Sequence, residues 1–95
     1  MEDGTRIPNP AEFREWVIQT MAALQISPHY WSTAAGIGPN AISKFISNEQ
    51  RDLRMGTASA VYSAAFRLAA EKDTVLPPLK ARQVFDGEPV GDAHV

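Results

Sequence analysis

The run Gly36-Ile37-Gly38-Pro39 constrains this chain more than any other stretch. It ends one short helix and begins another. Gly36 stands where the chain leaves the first of them, as a residue free to take positive φ. Ile37 is expected as a buried plug inside the turn. Gly38-Pro39 restarts a helix with proline at its first position, where a missing N–H costs nothing. The preceding helix opens in the same manner, with Ser27 as cap and Pro28 as first residue. Its small run Ser32-Thr33-Ala34-Ala35 lets it press closely on a neighbour.

The second short helix divides into two faces. Ile42, Phe45 and Ile46 fall on one side; Pro39, Asn40, Ser43 and Lys44 fall on the other. A short helix crossing another at a glycine turn, with a small polar outer face, has the geometry of a DNA-binding helix-turn-helix. The segment resembles that of the lambda repressor/Cro-like (XRE) family, which spaces a small residue, a glycine and two apolar residues as Ser32, Gly36, Ile42 and Phe45 stand here. The resemblance covers about residues 10 to 70. Three positions depart from the pattern: Ser32 replaces the usual alanine, Pro28 a frequent glutamine, and Asn48 a glycine after the second motif helix. Asparagine is the next best residue for a left-handed conformation.

Flanking segments supply the rest of an all-α chain, a compact four- to five-helix bundle containing the helix-turn-helix. Residues 1–8 read as a flexible lead-in. Asn9, Pro10 and Glu12 spell a helix start, and Phe13, Trp16, Val17, Met21 and Leu24 then recur at helical spacing to about Gln25. Trp16 lies on that stripe and reads as a core anchor. The motif helices are expected at about 28–35 and 39–47. Trp31 takes a core position of the family pattern. Tyr30, its neighbour, then points to the surface or is partly buried. Asp52 can cap a fourth helix with Leu53, Met55, Ala58, Val61, Ala65 and Leu68 inward, running to about Lys72. The domain thus spans 9–72. Pro77-Pro78 breaks any helix; within the 73–95 tail, Leu79, Val84 and Phe85 read as a short helical turn or a partner-binding patch, and Gly87 to Val95 as disordered.

Composition excludes several functions. Ninety-five residues make one small domain. With no cysteine there is no disulfide, thiolate metal site or thiol nucleophile, and His29 and His94 are far apart. No metal, cofactor or catalytic constellation is expected, so the chain does not read as an enzyme. No apolar run approaches membrane length and no signal-peptide core is present, which reads as a cytoplasmic protein without a membrane partner. The net charge is −2. Lys44, Arg51, Arg54, Arg67 and Lys72 outnumber Glu49, Asp52 and Glu71 in residues 29–72, leaving that part mildly basic between two acidic ends.

These features lead to a sequence-specific transcriptional regulator, of phage, mobile-element or operon repressor type. Asn40, Ser43 and Lys44 are the candidates for base edges: asparagine pairs with adenine, lysine donates to guanine, serine is permissive. His29, Thr33, Pro39, Arg51 and Arg54 are the candidates for phosphates. Arg51 and Arg54 have an ordinary alternative as solvated charges paired with Glu49 or Asp52. The partner is double-stranded DNA, and one recognition helix reads so few base pairs that a homodimer on a two-fold site is implied. Its surface would be the end of the fourth helix with Leu79, Val84 and Phe85. The rival function is a protein-binding antagonist, antiactivator or antitoxin-like, that uses the helical domain and the apolar tail patch on a protein partner.

Overall fold

The computed structural model describes residues 6–79 and 84–85. They form four helices: α1 (Pro10–Leu24), α2 (Pro28–Ala34), α3 (Ala41–Ile46) and α4 (Met55–Lys72). Among the described residues there is no strand, only an isolated antiparallel bridge between Arg6 and Arg54. No helix is long and apolar enough to cross a membrane.

The core follows the helical period. α1 buries Phe13, Trp16, Val17, Thr20 and Leu24, one stripe along its length. α4 offers mostly small residues: Ala58, Val61, Ala64, Ala65, Leu68 and Ala69 are buried. Such a surface lets large side chains approach its backbone. Trp31 of α2 is fully buried, and its indole N–H donates to the Val61 carbonyl at 3.0 Å, which satisfies the polar end of a buried ring. α2 and α3 pack on each other, α2 also on α4, and α3 on α1. Ile42 and Phe45 are the buried residues of α3.

Each helix ends in a left-handed residue. Gly36 has φ 77° and Asn48 φ 70°, in the conformations expected of them. Gln25 and Asp73 do the same with φ 57° and 54°. At the end of α2, Gly36 N–H donates to Thr33 and Ile37 N–H to Ser32, the paired bonds of a Schellman turn. Ile37 is half-buried against the core rather than a fully buried plug.

Two helix starts differ from expectation. α3 begins at Ala41, not Pro39. The Ala41 N–H bonds back to Gly38 at 3.0 Å, so Pro39 occupies the first corner of a β-turn, the site its fixed φ favours, and Asn40, at φ −106° and ψ 8°, the second. α4 begins at Met55 with Arg54 as N-cap, not Asp52. Leu53 is buried, its carbonyl accepts from Ile7 N–H, and Arg54 is extended, so helical geometry cannot start earlier. Ser27 caps α2 as expected, accepting from Tyr30 N–H at 3.0 Å, whereas Asn9 stands at the N-cap of α1 without a side-chain cap bond.

Both flanks are more structured than the sequence implies. Ile7, assigned to a flexible lead-in, is buried. Val84 is fully buried, and Phe85 lies 5.6 Å from Phe13 and 5.3 Å from Tyr62. The Trp16 indole donates to the Pro77 carbonyl at 2.8 Å. The segment after α4 therefore completes the core, and Val84 is unavailable as a surface patch. Residues 1–5 and 87–95 lie outside the described residues.

Candidate nucleic-acid interface

The α2–turn–α3 unit is fixed by bonds that the helix pattern alone does not reveal. Ser32 is buried, and its Oγ accepts from Ile42 N–H at 3.2 Å. The hydroxyl thus serves as the cap of α3 from the helix that crosses it, in place of Asn40, whose side chain makes no cap bond. Two arginines hold the other ends. Arg67 of α4 donates to the Ala34 carbonyl at 2.9 Å. Arg14 of α1 donates to the Phe45 carbonyl at 2.7 Å and the Arg51 carbonyl at 2.9 Å, with its guanidinium 4.5 Å from the Phe45 ring centre. A cation at a helix C-terminus is favourable, and this one also ties α3 and the loop behind it to α1. Neither arginine stood out in the sequence; each lies on a helix flank, and its target is more than thirty residues away.

With Ile42 and Phe45 buried, Asn40, Ser43, Lys44 and Ser47 are exposed. The three residues expected at base edges thus share the outward side of α3. Pro39, His29 and Thr33 are exposed as well. The Thr33 hydroxyl donates to the His29 carbonyl at 2.9 Å, which leaves its lone pairs outward. Two of the amides after Pro39 are engaged: Ala41 N–H by Gly38 and Ile42 N–H by Ser32. Pro39 itself has no N–H, so these two amides of the helix start expected to face a phosphate are taken from within. Arg51 and Arg54 are exposed on the loop that Arg14 anchors.

The electrostatics are one-sided. No carboxylate occurs between Gln25 and Glu49. Among the described residues no ion pair engages Lys44, Arg51 or Arg54, so the pairing with Glu49 or Asp52 is not made there. No cluster of three or more metal-ligating side chains occurs among them either. A second feature lies elsewhere: an open groove of about 460 Å³ beside α4, lined by Trp16, Tyr62, Phe66, Val75, Pro77 and Leu79. Phe66 is 52% and Val75 89% exposed.

Comparison with known proteins finds no family model, no curated protein and no solved structure that matches this chain.

Proposed function

We propose that this chain is a sequence-specific DNA-binding regulator of the helix-turn-helix type, with α3 as its recognition helix. The observation that carries the reading is the outward face of α3. It presents Asn40, Ser43 and Lys44 to solvent from a helix locked at both ends by Ser32 and Arg14. A rigid helix with a short polar face and no nearby acid suits the major groove, where asparagine and lysine discriminate adenine and guanine. Lys44, Arg51 and Arg54 supply cations toward the phosphates, with His29 near the start of α2 and Thr33 near its end as further contacts. Specific recognition by so short a helix calls for two copies on a two-fold operator. The acidic remainder of the chain limits non-specific coating of DNA. Catalysis has no part in this reading.

Selection of bound sequences from a random duplex pool tests it. A recovered consensus with inverted half-sites is the expected result; a pool that stays random after several rounds overturns it. The rival reading, an antagonist that binds another protein, is favoured by one observation, the apolar groove with Phe66 and Val75 on its rim. An unenriched pool would shift the assignment to that face.

A further inference from the structure

We propose that Arg6 joins Arg54 in a two-arginine site for a backbone phosphate, an inference that rests on the DNA-binding reading above and adds a contact from the N-terminal arm. Three observations place the pair. Ile7 is buried and acts as an anchor for the arm. Its N–H donates to the Leu53 carbonyl at 3.0 Å. Arg6 and Arg54 are the two residues of the antiparallel bridge. The bond from Ile7 to Leu53 flanks that pair, so Arg6 and Arg54 form the non-hydrogen-bonded kind of pair, in which Cα atoms approach to about 4.5 Å and side chains rise on the same side.

Like charges directly opposite one another destabilise a strand pair. Here both side chains are exposed, and among the described residues no ion pair joins either of them to a carboxylate. A bridge that sets two cationic residues opposite one another is therefore relieved by an anion between them. Guanidinium forks match phosphate oxygens in geometry as well as charge. The bridge lies at the end of the loop that begins at the C-terminus of α3 and that Arg14 holds in place. A phosphate gripped there would set the register of α3 along the duplex, as backbone contacts do in general.

The test is a fluorescence-anisotropy titration of a labelled random-sequence duplex over a salt series, with the full chain and its Arg6→Ala, Arg6→Lys, Arg54→Ala and double-alanine variants. Melting of each variant is followed in parallel. The double variant, which frees the shared phosphate, is expected to make the log–log salt slope shallower by about one unit, and Arg6→Ala to bind several-fold more weakly. Its melting temperature should hold or rise, because the like-charge contact is relieved. Arg6→Lys should retain most of the affinity. The double variant should lose less than the sum of the single ones, since both arginines serve one phosphate. An Arg6→Ala variant with the affinity of the unmodified chain overturns the proposal while leaving the DNA reading intact. A fully additive double variant overturns the shared site. Absence of any binding by the unmodified chain at low salt overturns the DNA reading itself, and this site with it.

Discussion

Thr20 is the residue whose chemistry fits its surroundings least. It is fully buried on α1, and its Oγ1 has no hydrogen-bond partner among the described residues. A desolvated hydroxyl without a partner is costly, and an apolar side chain of the same shape removes that cost. Thr20→Val is therefore expected to stabilise the chain by about 1 kcal/mol, which for a domain of this size raises the melting temperature by about 4–8 °C. Melting followed by circular dichroism measures it, and a lowered midpoint would mean that the hydroxyl is bonded. The left-handed residues teach how far single residues can be read. Gly36 and Asn48 announce themselves, because glycine and asparagine tolerate positive φ. Gln25 and Asp73 carry no such signal; they adopt it because the chain must turn back onto the core at each helix end.

At the scale of elements, Ser32 separates what spacing reveals from what packing decides. Spacing identified it as a small residue at a close helix crossing. Its bond to Ile42 N–H depends on how α2 meets α3, ten residues on, which no local pattern encodes. Ser32→Ala keeps the small size but leaves a buried amide without a partner, so it is expected to cost about 1–2 kcal/mol. Denaturant midpoints at constant m-value report this; an unchanged midpoint would mean that the amide finds another acceptor and that Ser32 is only a spacer. Helix existence was legible throughout, since the stripes on α1 and α4 and the Ser27-Pro28 start are local signals. The starts of α3 and α4, at Ala41 and Met55, were not. Pro39 serves a β-turn as well as it serves a first helical turn, and Arg54 is held extended by an arm that lies far away in sequence.

At the scale of the whole molecule, the segment after α4 changes the account most. Pro77-Pro78 correctly signals the end of helix, yet nothing in 73–95 signals a return to Trp16, whose bond to Pro77 spans 61 residues. Val84 then fills the core that α1 and α4 leave open. Val84→Ala should cost about 2 kcal/mol through lost burial and the cavity left behind, as read by thermal or chemical melting. A surface patch would show almost no change. The exposed face of α3 was legible, because it follows from the same simple 3.6-residue period as the stripes of the core. Its locks, Ser32 and Arg14, were not, because each joins elements distant in the chain.

The central claim is that the outward face of α3 reads DNA. It is tested most directly by titrating the unmodified chain and an Asn40→Ala/Ser43→Ala/Lys44→Ala variant against the duplex recovered by selection and against a scrambled one. These side chains are exposed, so the variant should melt at nearly the same temperature as the unmodified chain. It should lose most of its preference for the selected duplex, at about 1–3 kcal/mol per base-reading residue, while weak salt-dependent binding to both duplexes persists. Equal preference for the selected duplex in a folded variant would contradict the account.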